Sequence, residues 1–93
     1  MNNLFISYDL IAPGQHYDRV STAIKELGDW ARIHYSLFYV KSAFGSEEAA
    51  NHVRAAMDAN DTLIVIDASR NAATHFRVGP AAVQQMQALW SRP

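Results

Sequence analysis

Cysteine is absent from the 93 residues, which excludes disulfides, thiolate zinc sites and cysteine nucleophiles. Proline and glycine are sparse, three and four respectively, and no linker, repeat or low-complexity stretch divides the chain. A single domain over residues 1–93 is therefore expected. Neither sign of charge prevails: eight Lys and Arg against nine Asp and Glu leave a formal net charge of -1. Avid non-specific binding of nucleic acid usually shows a basic excess, so bulk charge argues against it and leaves a local patch open. No apolar run approaches the roughly 20 residues that span a bilayer. The opening Met1-Asn2-Asn3-Leu4 has no basic segment of the signal-peptide kind. A soluble, cytoplasmic protein with no membrane partner is the expectation.

What is present is an ordinary globular mixture, 49% hydrophobic and 18% charged, too apolar for intrinsic disorder. A chain this short buries only about 60–65% of its unfolded surface, so a second subunit would add to a thin stability margin. Leu4–Tyr8 is short and β-rich, and Asp9 and then Pro13-Gly14 bound it, which reads as a strand followed by a turn. Tyr17, Val20, Ile24 and Leu27 recur at helical spacing and Gly28 follows as a stop, predicting a helix over Gln15–Leu27. The aromatic, β-branched run from Trp30 to Ser42 exceeds one typical strand. Split near Ser36, it gives Trp30–Tyr35 and Leu37–Lys41. Ser46 is placed to cap a second helix, with Glu47 and Glu48 in its first turn and Ala49, Val53 and Met57 on its apolar side. Thr62–Asp67 is the clearest strand.

Beyond it, Ala68–Ala73 reads as loop and Thr74–Val78 as a short strand pairing with an edge, the chain's own or a partner's. Gly79-Pro80 opens a last helix whose stripe is Val83, Met86, Leu89 and Trp90. The order β-α-β-β-α-β predicts an α+β fold: a ferredoxin-like sandwich, a four-stranded antiparallel sheet with two helices on one face. The core covers about 3–68, with a C-terminal extension of strand and helix over about 69–93. Right-handed crossovers order the strands fourth, first, third, second. The uncovered face, with several aromatic residues, requires the C-terminal segment or a second subunit against it.

That topology gathers Asp9, Ser36 and Asp61 at one end of the sheet, under the Leu10–His16 loop. Two carboxylates there could hold a hard divalent cation such as magnesium or manganese for phosphodiester cleavage. Plainer roles stand beside each. Asp61 suits a tight turn and Ser36 a strand connection. Asp9 suits loop capping or, next to apolar Leu10-Ile11, a desolvated carboxylate in need of a partner. The four histidines, His16, His34, His52 and His75, make no metal motif. Trp30, Tyr35, Phe38 and Tyr39 suit core or dimer packing, with a base-stacking platform as the alternative. The basic residues are scattered, and Arg70 and Arg77, flanking a loop, are the candidates for a phosphate contact.

Phe5-Ile6-Ser7-Tyr8-Asp9-Leu10, then His34-Tyr35-Ser36-Leu37-Phe38, then Asp61–Ile66 resembles the small CRISPR-associated Cas-two family over about Leu4–Asp67. The resemblance implies a ferredoxin-like homodimer with the aspartate at the end of the first strand, Asp9, near the two-fold axis. There it would serve as metal ligand and catalytic residue of a metal-dependent nuclease. Ribonuclease toxins of related fold are a neighbouring possibility. Other members of the family are non-catalytic scaffolds that join integrase-type proteins and nucleic acid. Nuclease and adaptor are therefore both open; a small-molecule sensor would need a Gly-rich ligand loop that this sequence lacks.

Overall fold

The computed structural model describes residues 1–10, 17–90 and 92. Eight elements follow one another: β1 (Asn2–Asp9), α1 (Tyr17–Lys25), β2 (Gly28–His34), β3 (Leu37–Ser42), α2 (Ser46–Arg54), β4 (Thr62–Asp67), β5 (Ala72–Phe76) and α3 (Pro80–Trp90). The chain is thus α+β. Every strand pairing is antiparallel, in the order β2-β3-β1-β4-β5.

Strict alternation explains the middle of the sheet. Leu4, Ile6 and Tyr8 of β1 point to one face and Phe5, Ser7 and Asp9 to the other, as a period of two residues requires. Register carries the alternation across: Ile6 stands opposite Phe38 on β3 and Val65 on β4. The inward set meets Val20, Ile24 and Leu27 from the first helical segment and Ala49, Ala50 and Val53 from the second. Phe38, Leu4, Ile6, Ile24 and Leu63 are all fully buried. Each such side chain contributes about 1.5–3 kcal/mol relative to exposure. The alanines leave little bulk between α2 and the sheet.

The start of the first helix lies partly outside the described residues: Gln15 and His16 are not among them, nor is the Leu10–His16 loop apart from Leu10 itself. Ser46 is not the cap of α2. Gly45 takes that position without a side-chain bond, and the Ser46 hydroxyl is held instead at 3.0 Å from Thr74 of β5.

The sheet has five strands where four were expected. Residues 68–71 form a turn, with Asn71 in the left-handed region at φ 53. Asn tolerates that conformation well. The turn folds β5 straight back onto β4, with Val65 opposite Thr74. The terminal strand therefore begins at Ala72 and pairs with the chain's own β4. Arg77, at φ 62, ends it. No residue of α3 is buried, its apolar stripe included. Leu89 is 56% exposed, and Met86, Gln87 and Trp90 line a shallow groove with Ala73 and His75.

Gly28 marks the passage from α1 into β2, and here the absence of a side chain is required. A Cβ at this position would collide with the Lys41 carbonyl oxygen and lie 3.0 Å from its carbon. Buried Ser42 beside it donates from its hydroxyl to the Leu27 carbonyl at 2.7 Å and accepts the Phe44 N–H at 3.0 Å. Gly28→Ala must push β2 away from β3. It should cost about 1–3 kcal/mol, the usual range for overpacking, seen as a lower urea midpoint at unchanged slope. A wild-type midpoint would show that the two strands separate freely.

Candidate functional site

The three residues expected at one end of the sheet do reach that end, in different ways. Asp9 is exposed, closes β1 and pairs with Thr62, on the face of Phe5 and Ser7. Ser36 lies in the β2–β3 turn, and its carbonyl accepts the Tyr8 N–H at 3.1 Å, so it extends the β1–β3 ladder by one bond. Asp61 is buried, at 4% exposure. Its Oδ2 accepts the Asp58 N–H at 2.8 Å, while its own N–H donates to the Asp58 carbonyl at 3.1 Å. This reciprocal pair closes the α2–β4 turn, the ordinary use of Asp in such a place.

Asp61 lines a cleft of about 250 Å³ with Leu63 and Phe76, on the helix-covered side, whereas Asp9 faces the other way. One chain therefore presents one exposed carboxylate at this end of the open face. Among the described residues no group of three or more His, Cys, Asp or Glu could hold a metal ion.

The two candidate phosphate-binding arginines part company. Arg70 turns back on the fold: its Nε donates to Asn2 Oδ1 at 3.3 Å and stands 3.9 Å from Asp67 Oδ2. Asp67, wholly buried at the end of β4, accepts the Ser69 N–H at 3.0 Å through its other oxygen. The exposed Arg70 head thus serves as counter-ion to a buried carboxylate. Arg77 lines the Asp61 cleft together with Arg54, whose guanidinium lies 4.2 Å from the Phe76 ring centre. Arg54 carries no signal in the sequence, because its partner is 22 positions away on a strand that reads weakly (76 − 54).

The open face of the sheet is apolar through its centre. Phe5 and Tyr39 meet at 5.3 Å, and the Tyr39 hydroxyl and Lys41 ammonium both donate to Asn3 Oδ1, at 2.6 and 2.7 Å. Leu37, Ile64 and Ile66 share the face and are only partly buried. A polar rim around an apolar centre results.

Beyond α1, on the helix side of β2, a third surface stands out. Trp30 and Arg32 flank the buried Phe38 ring, Trp30 edge-on at 6.0 Å and the Arg32 guanidinium at 4.7 Å. Lys25 lies 4.5 Å from the Trp30 ring, Arg32 also reaches Tyr35 at 5.3 Å, and Tyr35 meets Tyr17 at 5.1 Å. Trp30 is 47% and Tyr35 62% exposed. Both were expected to pack into a core or a dimer, and of the four aromatic residues considered together only Phe38 enters the core.

Compared with known protein families, with characterised proteins and with solved structures, the chain shows no match. No helix among the described residues is long and apolar enough to cross a membrane.

Tyr8 ties the sheet end to this surface. Its hydroxyl donates to the Tyr35 carbonyl at 3.2 Å. Burial raises its pKa above the ordinary value, and the Arg32 guanidinium opposes part of that shift. The folded protein therefore keeps the Tyr8 proton to higher pH than the unfolded chain does. Tyr8 contributes this stability below the ordinary tyrosine value of about 10 and loses it as pH rises beyond. In Tyr8→Phe the urea midpoint should fall less than in wild type between neutral and strongly alkaline pH. Equal declines would mean that Tyr8 titrates alike in both states.

Proposed function

We propose that the chain acts as a homodimeric adaptor of ferredoxin-like, Cas-two-like type, holding nucleic acid or an integrase-type protein on its surface. The observation that carries this reading is the open sheet face. Two helices cover one side of the sheet, while Phe5, Leu37, Tyr39, Ile64 and Ile66 remain partly exposed on the other. An apolar centre with a polar rim is the composition of an interface. A second copy applied to it brings Tyr8-Asp9 and Ser36-Leu37-Phe38, the segments of the family resemblance, close to a two-fold axis. Two helices on one face and a β2-β3-β1-β4 order support the ferredoxin-like assignment.

The nuclease is the second reading, and exposed Asp9 favours it. Two copies would bring two Asp9 carboxylates together. When bound there, magnesium or manganese would supply an activated water and neutralise phosphate charge. The adaptor takes precedence because Asp61, the second carboxylate of the sheet end, is engaged in closing its own turn.

Light scattering in dilute solution should give twice the 10.4 kDa chain mass. Ile64→Glu, which puts a charge at the centre of the face, should weaken the dimer by about tenfold or more with the circular dichroism preserved. A wild-type monomer at micromolar concentration defeats the proposal. For the second reading, single- and double-stranded DNA and RNA are incubated with magnesium, manganese or chelator. Metal-dependent cleavage that Asp9→Asn abolishes without dissociating the dimer establishes the nuclease. No cleavage, or cleavage undiminished in Asp9→Asn, leaves the adaptor.

A further inference from the structure

We infer that the outer part of β2 is a binding stripe for single-stranded nucleic acid, with Trp30 and Tyr35 as stacking surfaces and Lys25 and Arg32 as phosphate contacts. This deepens the adaptor reading by naming which surface holds the strand and in what form.

The stripe arises from the way the sheet is covered. Trp30 pairs with Val40 and Arg32 with Phe38, so both side chains stand on the helix side. β2 is an edge strand, and its residues from Asp29 to His34 are all exposed. Apolar alternation has therefore produced no burial here. The ring and cation contacts run in sequence, from Lys25 to Trp30, across Phe38 to Arg32, and on to Tyr35. Trp30 and Arg32, two residues apart on a strand, are separated by about 6.6 Å along it. Cation and ring thus alternate over a few nucleotide lengths.

The charges on this stripe are available to an outside anion. Among the described residues the ion pairs are His52 with Glu26 and Arg70 with Asp67, and neither Lys25 nor Arg32 takes part. The chain as a whole is nearly neutral, yet two cations and two exposed rings are concentrated at one edge. Base–aromatic stacking needs an unpaired base with a free face, which a duplex does not offer, and it tolerates any sequence. Phosphates complement the cations between the rings. An apolar protein surface would account for Trp30 and Tyr35 but would desolvate the Lys25 and Arg32 charges, neither of which has a carboxylate paired with it among the described residues.

The chain has two tryptophans, Trp30 and Trp90. In Trp90→Phe the remaining fluorescence reports on the stripe alone. With chelator present, so that cleavage plays no part, oligothymidylate and oligouridylate should quench it saturably. Affinities of all variants are read from the anisotropy of an end-labelled oligomer. The slope of log K against log salt should be about -1.4, from two phosphates at about 0.7 each. Lys25→Gln should reduce it to about -0.7. Trp30→Ala should weaken binding about 5- to 150-fold, the stacking contribution of one base, and Trp30→Phe should restore most of it. A duplex of the same sequence should bind more weakly.

Absence of quenching overturns the stripe, and so does binding that neither Lys25→Gln nor Trp30→Ala changes in a folded protein. A duplex that binds as well as the single strand overturns it too. An edge that serves to dock another protein's strand would give the first of these results. Light scattering on the same samples keeps the two proposals apart. A monomer that binds through Trp30 sinks the dimeric adaptor and retains the stripe, while a dimer blind to oligonucleotide does the reverse.

Discussion

Everything in this chain is organised by the burial of one face of β1. Its inward residues Leu4, Ile6 and Tyr8 are flanked on both sides by paired strands and covered by two helices, which removes them from water. Because side chains alternate, the same eight-residue strand must present Phe5, Ser7 and Asp9 to the other side. A slip of one residue would exchange the two sets, so the hydrophobic demand of the core also sets the location of Asp9. The open apolar face is the reverse side of the same constraint. Two short helices of nine residues each cover one side of the central strands and leave the outer strand β2 exposed.

Several polar residues that suggest chemistry are absorbed into holding that arrangement. Asp61 exchanges hydrogen bonds with Asp58, Asp67 is buried beside Arg70, and Ser42 joins the end of β3 to the segment leaving α1. Each meets backbone or charge at a point where the chain changes direction, although Asp67 Oδ2 accepts no hydrogen bond from the described residues and has only the Arg70 charge, 3.9 Å away, beside it. The charged groups that remain outward-facing and outside the ion pairs of the described residues are then informative. Asp9 lies at the rim of the open face, and Lys25 and Arg32 lie among the rings at the β2 edge. These are the surfaces from which dimerisation and nucleic-acid binding are proposed.

Most of the elements could be read from pattern, and their misreadings have specific causes. The stripe of Val20, Ile24 and Leu27 and the run Thr62–Asp67 gave their elements correctly because periodic burial left a periodic trace. The last strand was legible but its bounds and the edge it pairs with were not: Asp67 accepts the Ser69 and Arg70 N–H groups and Asn71 is left-handed, which makes Ala68–Asn71 a turn and starts the strand at Ala72. Val83, Met86, Leu89 and Trp90 repeat at helical spacing on α3, yet none of them is buried. Spacing shows that a helix has an apolar side, and only its neighbours decide whether that side is covered.

The sequence by itself determined the strand and helix order, the two sets of side chains on β1, and the arrival of Asp9, Ser36 and Asp61 at one end of the sheet. These depend on local periodicity and on the limited ways short connections can cross. Only the tertiary structure decided that Asp61 faces a turn while Asp9 faces outward, that Arg54 joins Arg77 in one cleft, and that Trp30 and Tyr35 stay exposed beside Lys25 and Arg32. The reason is that burial and partnership arise between residues distant in the chain. Alternation tells which side a residue is on, but the extent of the helices packed there decides whether that side meets protein or water.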